Sequence, residues 1–309
     1  MEAFAIPLLL VVGGLLALQG GANVQLSVAT ASPFAASTLQ LGVGALLMLA
    51  AAASAGAVGA FGLVGDVEPW QLLGGLGSAL YITAGILLFP RLGAIVAVGL
   101  FITGQMLASL AIDGLGWFGA EAERLGIAEL AGATSVVVGA GLIVAAQAGG
   151  EEVRSALRGR GGWLALALVA GAALPVQGAV NAELDGRLDA PLAVGAVSFL
   201  IATAAMAVLL AGSLALGGAP RPRVGSLRHV PWWGWLGGIC GATYVTSAFL
   251  LIPEIGAAAV VALTVAGQQV VSVLVDRHGL LRLPRRPIPA ARLAGVALLL
   301  AGVVSIEVG

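Results

Sequence analysis

Residues 70–116, WQLLGGLGSALYITAGILLFPRLGAIVAVGLFITGQMLASLAIDGLG, recur without a gap as residues 233–279, WGWLGGICGATYVTSAFLLIPEIGAAAVVALTVAGQQVVSVLVDRHG. At a constant offset of 163, 19 of these 47 positions are identical. They include Gly74 with Gly237, Tyr81 with Tyr244, Pro90 with Pro253, Gln105 with Gln268 and Asp113 with Asp276. The charges do not recur. Arg91 becomes Glu254, and the acidic Glu121 and Glu123 give way to Arg277, Arg282, Arg285 and Arg286. Two copies of one unit with reversed flanking charges predict loops that face opposite sides of a membrane, the pattern of inverted-repeat carriers.

Composition agrees with a membrane solvent. Hydrophobic residues make up 60% of the 309 and charged residues 9%, against about 25% charged in soluble domains. Every basic residue other than His is Arg, which reads as a genome bias. The single Cys240 excludes an intrachain disulfide and a cysteine-based metal site. The apolar start lacks a basic n-region and is too long for a leader, so it reads as a true span.

Hydropathy predicts ten helices, at about 3–29, 33–56, 70–89, 92–112, 126–147, 162–183, 191–215, 232–252, 255–275 and 289–307. Helices 1 and 6 align at a second offset, 158, pairing Gln19 with Gln177, Asn23 with Asn181, Pro33 with Pro191 and Met48 with Met206. The expected fold is therefore an all-α integral membrane protein of ten transmembrane helices, built as two inverted five-helix repeats. Residues 1–148 form the first repeat, 149–161 a cytoplasmic linker and 162–309 the second. An odd number of helices per repeat turns the second copy over. Loops after odd helices then carry 12 of the 14 arginines, leaving Arg124 and Arg187 opposite with 12 of the 15 acidic residues. The positive-inside rule puts the Arg-rich side in the cytoplasm and both termini outside.

No charged residue falls near the middle of a predicted span. The central polar groups are carboxamides and hydroxyls: Gln19, Gln105, Gln177 and Gln268 near helix midpoints, with Asn23 and Asn181 one turn beyond two of them. Gln40, Ser198, Tyr81, Tyr244, Thr83 and Thr246 are further matched positions, and Gln269 is unmatched. Repeat-related polar pairs at mid-depth point to a cavity on a pseudo-two-fold axis. The competing reading is interhelical hydrogen bonding that joins helices at about 0.6–2 kcal/mol each. Asp113 and Asp276 end helices 4 and 9, eight residues after the paired Gln, as gates, coupling groups or helix-end anchors. A carboxylate at a helix C-terminus opposes the macrodipole, so each needs an Arg or amide partner. Glu183, beside Asn181, is a further gate or coupling candidate or simply a solvated interfacial carboxylate. No catalytic set, metal site, cofactor motif or nucleic-acid surface is expected.

The run from Gly74 and Gly75 to Tyr81, then Pro90, Gly93 and Ala94, then Gly104 and Gln105 leading to Asp113, resembles the YdcZ-type branch of the drug/metabolite transporter superfamily. The second copy repeats it through Gly237, Gly238, Tyr244, Pro253, Gly256, Ala257, Gly267, Gln268 and Asp276. The resemblance implies a carrier of the bacterial inner membrane with a central site, here as a fused tandem, and implies no substrate. The chain departs from small multidrug resistance relatives, which carry a glutamate in helix 1 where this sequence has Gln19 and Gln177. The expected activity is secondary transport of a small neutral or zwitterionic metabolite by alternating access, performed by a monomer among membrane lipids. A lipid or lipid-linked sugar translocase and a non-transporting scaffold subunit remain the alternatives.

Overall fold

The computed structural model of the protein describes residues 2–120, 122, 125–157, 160–217, 221–283, 285 and 288–308, and regular structure among them is helical throughout. The long helices are α1 (Glu2–Thr30), α2 (Pro33–Ser54), α3 (Gly75–Leu92), α4 (Ala94–Leu115), α5 (Ile127–Leu157), α6 (Gly161–Leu188), α7 (Pro191–Ala215), α8 (Gly237–Ile255), α9 (Ala257–His278) and α10 (Ala290–Val308). Among the described residues, nine are long and apolar enough to cross a bilayer, and the apolar part of α10, Ala290–Ile306, falls just short of that length. Large apolar side chains such as Phe4, Val11, Val28, Leu46, Val208 and Val304 stand exposed on the outer faces, where lipid replaces water as the favourable solvent. The protein is a multi-pass membrane protein.

Four boundaries differ from the sequence expectation by five residues or more. Pro69 and Trp232 open short 3-10 turns, so α3 and α8 begin only at Gly75 and Gly237. The α5 helix runs to Leu157, ten residues past the expected end at 147, so much of the stretch read as a linker is helical. The α6 helix continues to Leu188, past the expected end at 183, so Asp185 also lies on the helix rather than in a loop. The reading at residues 121, 123 and 124 lies outside the described residues.

Pro90 and Pro253 sit near the ends of α3 and α8, where the missing amide donor hastens termination. The chain then reverses through Gly93 (φ 81, ψ 143) and Gly256 (φ 81, ψ 157). That region is essentially restricted to glycine, which explains why both copies keep the Pro-x-x-Gly spacing.

Packing is close where glycine faces backbone. A Cβ on Gly13 or Gly267 would overlap the Thr264 or Leu10 carbonyl, joining α1 to α9. The counterparts Gly171 and Gly104 would overlap the Phe101 and Leu168 carbonyls, joining α6 to α4. Three pairs of corresponding helices also meet. In α5 and α10, Gly132 faces Gly302 and Gly139 faces Gly295. In α2 and α7, Gly44 faces Phe199 and Gly195 faces Met48. Asp113, at the end of α4, meets Ala257 at the start of α9. All three pairs run antiparallel. The α5–α10 pair closes one flank of the bundle, α2–α7 the other, and α1, α3, α4, α6, α8 and α9 lie between them.

Two ends follow from these contacts. At one end lie the α1–α2, α3–α4, α5–α6, α7–α8 and α9–α10 connections. There the Arg223 N–H donates to the Thr30 carbonyl at 2.9 Å, the Arg91 guanidinium stacks 4.4 Å above Trp163, and Arg160 reaches the Arg91 carbonyl. We call it the arginine end; the α2–α3, α4–α5, α6–α7 and α8–α9 connections form the opposite, acidic end.

Candidate functional site

Polar side chains gather toward the two ends of the bundle, at corresponding places, and the two gatherings are bonded differently. Toward the acidic end, α6, α7 and α3 converge. The Asn181 amide donates to Ser198 Oγ at 3.1 Å, and the Ser78 hydroxyl donates to Gln177 Oε1 at 2.8 Å. Gln71, buried in the turn before α3, donates to Glu183 Oε1 at 3.1 Å, while Arg187 stands 3.7 Å from the same carboxylate. Glu183 is therefore engaged in a partly buried contact rather than simply solvated. Asp113 is itself buried. Its two oxygens accept the Ala257 and Ala258 N–H groups, each at 2.7 Å. These are orphan donors at the start of α9, and a carboxylate there suits the positive end of the helix dipole.

Toward the arginine end the equivalent bonds are missing or redirected. Asp276, the counterpart of Asp113, pairs with Arg292 of α10 at 2.7 Å. Arg292 also donates to Ser272 Oγ at 3.1 Å. The sequence counted Arg292 among the loop arginines of the cytoplasmic side; the structure buries it to 2% exposure, held by these partners. Beside the pair a cavity of about 220 Å³ separates α9 and α10 from the start of α4 and from α5, lined by Ile95, Ile102, Ile143, Gln269, Asp276 and Arg292 among others. In α1 and α2, the counterparts of α6 and α7, Asn23 Oδ1, Ser37 Oγ and Gln40 Oε1 are buried with no hydrogen-bonding partner among the described residues. Gln40 lies against Gly237 and Gln19 against Gly241, both on α8.

The remaining candidates occupy other contacts. Gln105 is buried on α4 and Gln268 is half-buried on α9. Tyr81 packs its ring 4.9 Å from Phe101, and Tyr244 is buried in the core around α2, α7 and α8. The four matched Gln thus divide among different helix junctions: Gln177 with Ser78, Gln19 beside Gly241, and Gln105 and Gln268 on α4 and α9.

A family model described as "Putative inner membrane exporter, YdcZ" matches residues 4–142 and again residues 162–305. The chain belongs to the YdcZ family. The double match corresponds to a tandem of two YdcZ units, and the family makes the protein a membrane transporter of the drug/metabolite type. No curated protein matches the chain. Among solved structures, one titled "Crystal structure of protein" superposes with a TM-score of 0.65 over 96% of both chains at 19% identity, a likeness of fold alone.

Within this YdcZ-family tandem, matching the repeats missed the polar residues that occur in one copy only. Gln71 and Ser78 correspond to Gly234 and Gly241, Ser37 to Gly195, and Arg292 to Glu129. Polar residues matched to glycine across the repeats single out Gln71, Ser78 and Ser37, and the charge reversal against Glu129 singles out Arg292.

Proposed function

We propose that the protein is a secondary transporter that exports a small polar solute by alternating access, with ten spans arranged as two inverted five-helix halves. One observation carries this reading: Asp113 caps the start of α9 at the acidic end, whereas its identical counterpart Asp276 pairs with Arg292 beside the cavity at the arginine end. The antiparallel meetings of α2 with α7, α4 with α9 and α5 with α10 support halves related by a two-fold axis in the membrane plane, the architecture of alternating-access carriers. In such a carrier the paired latches are mirror images, made in turn. Asp113 on the α9 amides is then the closed outer latch. Asp276, turned to Arg292 beside the cavity, is the released inner one, its counterpart amides being those at the start of α4. The arginine end faces the cytoplasm by the positive-inside rule, both termini lie outside, and this conformer takes up solute from within. The family's description as exporters supports that direction. Absence of charge from the span centres favours a neutral or zwitterionic cargo, because a bare charge there costs about 2.5–3.5 kcal/mol on insertion scales.

Cysteine accessibility in a Cys240→Ala background tests the cycle. Ser272→Cys, beside the cavity, is expected to react with a membrane-impermeant maleimide from the cytoplasmic side, and Ser109→Cys, at its fully buried counterpart, to resist it from outside. Adding Asp113→Ala releases the outer latch, so Ser109→Cys gains and Ser272→Cys loses reactivity. A correctly inserted Asp113→Ala protein with unchanged labelling at both positions overturns alternating access.

A further inference from the structure

The two polar clusters correspond in position and differ in hydrogen-bonding balance. In the α6–α7–α3 cluster, each carboxamide meets a hydroxyl: Asn181 with Ser198, Gln177 with Ser78. In the α1–α2–α8 cluster those hydroxyls are gone. Ser198 corresponds to Gln40, and Ser78 corresponds to Gly241, which leaves Gln19 beside a residue with no side-chain donor. Ser37 adds an oxygen where its counterpart Gly195 has none. The exchange removes partners and leaves the Asn23, Ser37 and Gln40 oxygens all without one. Ser37 is 1% and Gln40 2% exposed, so solvent at the surface does not satisfy them. Buried polar atoms are almost always paired, and a set left open on one side of a pseudo-symmetric pair calls for a donor from elsewhere.

We propose that this cluster alone reads the solute, seating the primary ammonium group of a small zwitterion on the Asn23, Ser37 and Gln40 oxygens, while the α6–α7–α3 cluster is a structural lock. The proposal rests on the transporter reading and names its cargo. Three acceptors without a partner match the three N–H donors of a primary ammonium. Ser37 and Gln40 lie one turn apart on the same face of α2, and the α1–α2 contact repeats that of α6–α7, where Asn181 and Ser198 touch. Gly237 and Gly241 let the Gln40 and Gln19 side chains lie directly against α8 while offering no side-chain donor of their own. No carboxylate belongs to the set, so the cargo carries its own negative charge and remains neutral overall. The seat lies seven residues into α2, about 10 Å from its end at 1.5 Å per residue, within reach of the arginine end.

The test uses the full chain purified in detergent, with unfolding followed by tryptophan fluorescence. The probes are glycine, L-alanine and L-serine at millimolar concentration, with N,N,N-trimethylglycine as the analogue that has no N–H to donate. At least one of the three raises Tm by several degrees, and the trimethyl compound does not. Gln40→Met removes a buried oxygen without a partner, so it leaves the unliganded Tm unchanged or higher while abolishing the shift. Ser198→Ala breaks the lock and lowers the unliganded Tm. Silence from all three amino acids, an equal shift from the trimethyl compound, or a lower unliganded Tm in Gln40→Met overturns the proposal. The labelling experiment on the Asp113 latch needs no ligand, so its result separates failure of this assignment from failure of the transporter reading.

Discussion

Asp113 illustrates how one side chain joins two halves of a chain. Its carboxylate accepts two buried amides at 2.7 Å from the first turn of α9, and hydrogen bonds to charged groups contribute about 1.5–3 kcal/mol each. Asp113→Asn keeps one acceptor oxygen and loses the charge at the helix terminus. It is expected to lower stability in detergent by about 1–3 kcal/mol, read as a drop in Tm against wild type. Arg292 responds differently. Breaking a buried ion pair on one side costs about 3–5 kcal/mol, whereas replacing both partners by apolar groups is often neutral. Arg292→Leu should therefore destabilise strongly, and the Arg292→Leu, Asp276→Leu double variant should recover most of the loss. A double variant no more stable than the single one refutes a simple pair. The sequence called for an Arg or amide partner at each carboxylate, and the structure supplies amides to Asp113 and Arg292 to Asp276; which kind went to which was not legible. Asp113 and Asp276 sit at identical places in the repeat, and only the exchange of Glu129 for Arg292 in the facing helix redirects the second carboxylate.

Helix packing depends on glycines whose faces meet backbone. A side chain on Gly104 would overlap the Leu168 carbonyl, whereas a Cβ on Gly141 meets open space. Gly104→Val should prevent α4 from closing on α6 and yield aggregated protein by size exclusion, while Gly141→Ala elutes unchanged. At the α3–α4 and α8–α9 turns the constraint is conformational, and Gly93→Ala or Gly256→Ala should cost about 1–3 kcal/mol for an unfavourable backbone region, measured by thermal melting. The ten helices were readable in advance because apolar runs of about 20 residues leave little choice. The α5 extension to Leu157 and the 3-10 entries before α3 and α8 were not. Residues 148–157 are too polar for a hydropathy argument, and a proline followed several residues later by a Gly-Gly pair permits either a tight turn or a helical start.

Across the molecule, the two ends differ in bonding more than the near-duplicate sequences suggest. Repeat matching identified the places where polar groups gather, and by the same filter discarded Ser37, Gln71, Ser78 and Arg292, which make those places unequal. Side assignment can be checked directly: in a Cys240→Ala background, Gly225→Cys should react from the cytoplasm and Gly65→Cys from outside, both being exposed. The reverse labelling inverts the whole orientation. The flanking seams carry one more consequence. Gly132 meets Gly302, Gly139 meets Gly295, and Gly44 meets Phe199, so each five-helix unit finds much of its partner surface on the other. A gene cut between residues 157 and 160 and expressed as two polypeptides should reassemble in the membrane and co-purify through a tag on either fragment. Each fragment made alone should be degraded, because covalent continuity contributes proximity and the glycine seams contribute the recognition.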